Sequence, residues 1–335
     1  MTADIEKQQH ILQEKRNSPN HLSTLIHGYQ LCIRTEGKSE NTSRIYETAL
    51  EKFSRFLITN GYSQDVTELG SHDIRAYIAY LQQSNTFEQH PYTKPQEKQL
   101  SGHAINCYLR ALRAFWSWLV REEVIVSNPF NKVILPKPPK KVIATFSEAQ
   151  IQALLKKVDM VTPAGFRDWT MIVMLLDSGL RASELTGLPM PDVNLEEGLV
   201  KVRGKGDKER MVPIGTKVQK AIWKYIHRYR PSPLNQLHPT LFLTKSGRSI
   251  SVNRLQTIIE IYTKKAGITG VRCSPHTFRH TFAINYLRNG GDVFSLQRIL
   301  GHSSLEIVRM YVNLAEADIK ECHRKFSPAD NMNIR

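Results

Sequence analysis

Cysteine is scarce in this chain, and what there is does not pair. Cys32, Cys107, Cys273 and Cys322 are scattered over 335 residues without a C-x-x-C among them. That spacing excludes a zinc ribbon and argues against a disulfide scaffold, so free thiols in a reducing compartment are expected. Long apolar runs are missing too. A stretch such as Trp169 to Leu176 falls well short of the roughly 18 apolar residues a membrane span needs. The N-terminus, MTADIEKQQH, is polar and holds no apolar signal segment, which predicts a cytoplasmic protein. Acidic side chains are also in deficit: 31 Asp and Glu against 46 Lys and Arg give a formal net charge of +15. An excess of that kind favours polyanions, because bound cationic side chains release condensed counterions. Nucleic acid is the leading partner class, with solubility or ribosome-type RNA binding as the plainer readings.

What is present is patterned. Apolar residues make up 41% of the chain, and its length allows two domains with separate cores. Residues 1–20 form a polar N-terminal extension. Over 21–130 the apolar spacing predicts a helical domain. Its first helix spans about 21–35. A second runs from Asn41-Thr42 to Gly61 with Tyr46, Leu50, Phe53 and Leu57 inward. The third is capped by Ser71, and the fourth starts at Ser101 with Ile105, Leu109, Leu112, Trp116 and Leu119 buried. Residues 84–100 read as a loop, and Asn128-Pro129 ends the domain. Residues 131–145 change character: Pro136, Pro138 and Pro139 interleave with Lys132, Lys137, Lys140 and Lys141, and no acid interrupts them. This is an extended linker, suited equally to solvation or to lying along phosphates.

A second domain is expected over 146–327, with a tail at 328–335. Ser147-Glu148 opens its first helix, and an apolar helix over 169–178 ends at Gly179. Leu199–Arg203 and Glu209–Ile214 read as strands around the turn Gly204-Lys205-Gly206-Asp207-Lys208. Further helices are expected near 216–229, 251–266, 275–289, 292–300, 304–311 and 315–325.

Six side chains of this domain carry chemistry as a set. Ser274 and Pro275 suit an N-cap and first position, which puts His276 and Arg279 on one face of a helix start, where partial positive charge suits a phosphate. The H-x-x-R spacing alone is weak, since it recurs at His72/Arg75 and His227/Arg230. His302 follows Gly301 in an interhelical corner, with Ser303 and Glu306 forming a capping box behind it. Tyr311 lies further along that helix. A phenol with a pKa near ~10 becomes a nucleophile only among cations. Arg181 stands just after Gly179 with Glu184 one turn on, and Lys205 sits in the hairpin. Taken singly, each also fits an ordinary surface, corner or core position.

Together these residues lie in motifs that carry a resemblance. Gly179-Leu180-Arg181-Ala182-Ser183-Glu184-Leu185, Gly204 to Arg210, His276-Thr277-Phe278-Arg279-His280-Thr281-Phe282-Ala283, Leu300-Gly301-His302-Ser303-Ser304 and Tyr311 resemble the tyrosine recombinase (phage integrase) family over about 145–325. The helical domain before Asn128 is similar in type and position to that family's core-binding domain. The fold this implies is mainly α with a small β-sheet: a two-domain DNA clamp with a helical, SAM-like core-binding domain and an α+β catalytic domain.

The resemblance also implies roles. Tyr311 attacks the scissile phosphate, Arg181 and Arg279 hold its non-bridging oxygens, and Lys205 protonates the leaving 5′-oxygen. His276 assists proton transfer at the tyrosine, His302 bonds a phosphate oxygen, and Glu184 orients Arg181 or His276. Lys132, Lys137, Lys140 and Lys141 are the linker's DNA-binding candidates. No cofactor, metal or ATP is implied. The implied partners are double-stranded DNA carrying recombination sites, other copies of the chain up to a tetramer on two sites, and accessory DNA-bending or directionality proteins. The expected location is cytoplasmic, at the nucleoid. Integration or transposition of a mobile element is the expected role, with Xer-like dimer resolution the alternative. A type IB topoisomerase shares the chemistry but lacks the Leu-Gly-His turn and the helical first domain. A non-catalytic DNA-binding protein has no use for Tyr311 or Lys205.

Overall fold

The computed structural model describes residues 18–86, 96–137, 144–204, 209–237, 239–301, 308–312, 323–324, 327–330 and 332. The chain divides into two compact units, Met1–Lys141 and Val142–Arg335. It is mostly helical with one small antiparallel sheet, the fold class the sequence predicts.

The first unit holds helices α1 (Leu22–Thr35), α2 (Glu40–Thr59), α3 (Ser71–Gln83) and α4 (Gly102–Arg121). Ser39 and Ser101 cap α2 and α4, each accepting a hydrogen bond from a first-turn amide that has no partner inside the helix. Ser71 does not cap α3. Gly70 is the cap and donates its amide to Asp73 Oδ2 at 2.8 Å. A carboxylate three residues into the helix reaches back to the cap amide, whereas the Ser71 hydroxyl already lies inside the first turn. The inward face is dense with rings. Phe53 meets Tyr77 edge-on at 4.9 Å, Tyr29 meets Phe115 at 5.4 Å, and Trp116 is fully buried.

Two segments depart from the reading of this region. The expected loop over 84–100 is pinned at its ends, with Asn85 bridging Gln99 and the Thr86 amide donating to the Lys98 carbonyl at 2.7 Å; residues 87–95 lie outside the described residues. The linker expected from 131 is, through Pro136, part of the helical unit. Pro129–Lys132 is a 3₁₀ turn, and Val133 and Leu135 pack on the core. Arg75 holds the Lys132 carbonyl at 2.9 Å and Asn106 holds that of Pro136 at 2.8 Å. Phe130, Val133 and Leu135 give this stretch an apolar side to bury, which the prolines and lysines mask in the sequence.

The second unit is built around α6 (Pro163–Ser178), buried on nearly every side. It follows α5 (Glu148–Lys156), capped by Ser147, and starts six residues before the apolar run because Thr162 and Pro163 supply a cap and a pre-set first residue. Gly179 ends α6 in the left-handed region at φ 60°, where a Cβ would meet Phe282 at 2.3 Å. The short α7 (Ala182–Thr186) comes next. Strands β1 (Val193–Asn194), β2 (Leu199–Arg203) and β3 (Glu209–Pro213) form the sheet in sequence order, β1 being a strand the sequence did not announce. Val200, Val202 and Val212 face the core, and Arg210 stands opposite Val202 on that same face. Then come α8 (Thr216–Lys224), extended by a π turn over Tyr225–Tyr229, α9 (Val252–Lys265), α10 (Pro275–Arg288) and α11 (Val293–Leu300), which ends at a left-handed Gly301. Residues 308–312 are helical; the rest of the helices expected near 304–311 and 315–325 lies largely outside the described residues.

Candidate active site

The end of α11 gathers three arginines. A helix leaves its last carbonyls without intrahelical donors and ends in partial negative charge. Here those carbonyls take guanidiniums: Ile299 accepts from Arg210 Nε at 2.8 Å, Leu300 from Arg279 Nη2 at 2.6 Å and Gly301 from Arg181 Nη2 at 3.4 Å. The Gly179 carbonyl at the end of α6 accepts from Arg279 Nη1 at 2.7 Å. Four elements thus converge: the ends of α6 and α11, β3 with Arg210, and α10 with Arg279.

Glu184 is the carboxylate of this cluster, and its side chain is only 2% exposed. Arg210 grips it with two parallel bonds, Nη1 to Oε1 and Nη2 to Oε2, both 2.8 Å. Arg181 adds its Nη1 to Oε1 at 2.7 Å and its backbone amide to Oε2 at 2.8 Å. Burial alone would raise the Glu184 pKa, but the Arg210 bonds and the Arg181 amide overcome that and take it down to about 2. Glu184 thus holds Arg181, 32% exposed, and the more buried Arg210 in one network.

Arg279 donates to two helix-end carbonyls, those of Gly179 and Leu300. It is 4% exposed. Burial, with Arg181 nearby acting in the same direction, lowers its pKa to about 10. Among the described residues, three guanidiniums, Arg181, Arg210 and Arg279, stand against the carboxylate of Glu184 and leave this cluster two positive charges in excess. A site so charged and partly closed to water favours an anion with several acceptor oxygens.

Tyr311 is buried beside this cluster, 2% exposed. Burial raises its pKa, while Arg279 and Arg181 pull the other way, so both guanidiniums lie within electrostatic reach of the phenol. Its hydroxyl pairs with His280 Nδ1 at 2.9 Å. His276 is exposed on the first turn of α10, which Ser274 caps by accepting from the Thr277 amide. Of the predicted set, Arg181, Glu184, Arg279 and Tyr311 therefore come together. Lys205, His302, Lys140 and Lys141 lie outside the described residues, and Lys132 and Lys137 are exposed on the first unit.

Two members were missed. Arg210 was visible in principle: it shares strand parity with Val212, a sign that it points inward. His280 follows His276 by four residues on the same helix, which puts both on one face.

The phage integrase family model matches residues 144–318, more than half of the chain, and a model for the phage integrase N-terminal SAM-like domain matches 25–126. Tyrosine recombinase XerD of Shewanella oneidensis is 32% identical over 295 residues, covering 88% of this chain and 93% of that protein. The chain belongs to the phage integrase family. It is a tyrosine recombinase, an enzyme that cuts and rejoins DNA. Tyrosine recombinase XerC of Oceanobacillus iheyensis is 31% identical over 298 residues, covering 88% of this recombinase and 92% of its own length. Among solved structures, the integrase of the Tn1549 transposon, in complex with a circular intermediate DNA, shares the fold at a TM-score of 0.68 and 22% identity over 87% of this chain and 95% of that one.

Proposed function

We propose that this recombinase cuts DNA by attack of Tyr311 on a phosphodiester, forming a 3′-phosphotyrosyl bond and freeing a 5′-hydroxyl. The observation that carries this reading is the buried phenol within electrostatic reach of Arg181 and Arg279. Arg279 and Arg181 take the two non-bridging oxygens, and the charge that builds on the phosphorane meets the positive excess of the cluster. Glu184 and Arg210 are the frame that fixes Arg181. His276 assists proton transfer at the tyrosine, His302 hydrogen-bonds a phosphate oxygen, and Lys205 gives a proton to the departing 5′-oxygen. The covalent bond conserves the phosphodiester energy, so the 5′-hydroxyl of a partner strand reverses the step.

Both units contact the duplex, Lys132, Lys137, Lys140 and Lys141 lie along phosphates, and four copies act on two sites with accessory proteins setting direction. The enzyme works in the cytoplasm on nucleoid DNA. Its role is movement of a mobile element; the near full-length similarity to XerC and XerD proteins favours a second reading, resolution of DNA dimers. Footprinting on the DNA flanking the gene, followed by cleavage of a nicked suicide substrate, tests the chemistry and locates the site. Tyr311→Phe is expected to bind that DNA and yield no adduct; an adduct in unchanged yield overturns the assignment.

A further inference from the structure

We propose that His280 is a catalytic residue, the base that takes the proton of Tyr311 as its oxygen attacks phosphorus. The inference rests on the reading of Tyr311 as nucleophile and assigns a group to a step which the resemblance gave to His276. His280 Nδ1 lies 2.9 Å from the Tyr311 hydroxyl, within the range a proton-transfer partner must occupy. The two rings are 5.7 Å apart and inclined at 46°, tilted rather than stacked. His280 is next to Arg279 on α10, so one helix carries both the guanidinium that binds the phosphate and the imidazole that meets the nucleophile.

Burial makes the need for a base acute. It disfavours the free phenolate, and Arg279 and Arg181 offset that only in part. A neutral imidazole, with an ordinary pKa near ~6.5, is ready to accept at neutral pH. Among the described residues, Arg279 and Arg181 act on the phenol electrostatically, and Glu184 and Arg210 act in turn on Arg279.

The step balances. The Tyr311 O–H bond breaks and its proton moves to His280 Nδ1. The phenolic oxygen bonds phosphorus, the bond from phosphorus to the 5′-oxygen breaks, and that oxygen leaves with the proton from Lys205. In rejoining, a 5′-hydroxyl displaces the tyrosine and His280 returns its proton to the phenolate. In the resting enzyme this requires His280 to be neutral and to carry its hydrogen on Nε2.

The test is single-turnover cleavage of a nicked suicide substrate by the full-length enzyme, its Tyr311→Phe and His280→Asn variants, across pH 6 to 9 (roughly the window in which an imidazole and then a phenol titrate). His280→Asn keeps a group that can hydrogen-bond the phenol but cannot take its proton. Its cleavage should fall by about 10²–10⁴-fold at pH 7, the usual contribution of general base catalysis. Its rate should then climb steadily with pH as the phenol ionises alone, where the parent enzyme levels off. A 5′-thiol leaving group, which relieves the need for an acid, should leave the His280→Asn defect in place while restoring Lys205→Ala. Parent-like rates, or a slowed variant with the parent's pH profile, overturn the proposal. If Tyr311→Phe still forms adducts, the reading of the nucleophile fails; if it forms none and His280→Asn cuts at full rate, only the role of His280 fails. Nitrogen NMR of the unmodified enzyme gives an arm that no variant's folding affects: an unprotonated Nδ1 on His280 at neutral pH is expected, and a protonated Nδ1 overturns the inference.

Discussion

Two Arg–Glu pairs in this chain have nearly the same N···O distance and opposite significance. In the helical unit, Arg121 Nη2 meets Glu36 Oε1 at 2.9 Å with 58% and 35% of the side chains exposed. In the catalytic unit, Arg210 meets Glu184 at 2.8 Å with 13% and 2% exposed. Distance does not separate them; water does. The helical unit rests on apolar and aromatic burial and treats its charges as surface. The catalytic unit builds charge into its interior and satisfies it with helix-end carbonyls and buried carboxylates, Glu184 shared by Arg181 and Arg210, and Asp168 held by Arg167.

That contrast can be broken experimentally. Glu184→Gln leaves Arg181 and Arg210 without their common anion, and should cost about 3–5 kcal/mol in chemical denaturation, the range for opening a buried ion pair. Cleavage should fall with it, because Arg181 loses its frame. A loss below about 1 kcal/mol would make this network no different from a surface pair. Trp116→Ala in the helical unit should cost a comparable ~3–5 kcal/mol from cavity formation, yet leave the single-turnover cleavage rate of bound DNA unchanged.

The Glu184 network also predicts a pH response. Its folded pKa, about 2, lies below the ordinary carboxylate value, so its contribution to stability is complete above about pH 4.5 and is lost as pH falls from there towards 2. Denaturation midpoints measured over that window should drop for the parent and flatten for Glu184→Gln. Smallest of all, Arg121→Ala should shift stability by less than about 1 kcal/mol, and by less still at high salt.

The sequence carried most of the fold because the fold follows local rules. Ser101, Ser147 and Ser274 cap helices at hydroxyl positions that precede apolar periodicity. Ser71 misled for the same local reason, since the acceptor that matters is Asp73. The two-residue β1 is too short to show alternation, and the prolines of 131–137 hide a segment that packs through Val133 and Leu135. At the site, Arg181, Glu184, Arg279 and Tyr311 were legible as residue types within motifs. Their arrangement was not, because it depends on the carbonyls of Gly179, Ile299, Leu300 and Gly301, and a carbonyl has no sequence signature. Strand parity marks Arg210 as inward-facing, but its partner Glu184, like the Tyr311 hydroxyl that meets His280, is distant in sequence.

The most direct test of the whole account is to trap the enzyme on a nicked suicide substrate, digest it with protease, and identify by mass spectrometry the residue that holds the DNA. The account predicts a 3′-phosphate ester on Tyr311, formed by the enzyme with an intact Arg181–Glu184–Arg210 network and sharply reduced in Glu184→Gln. DNA attached to any other residue, or attached at the 5′ end of the break, contradicts it.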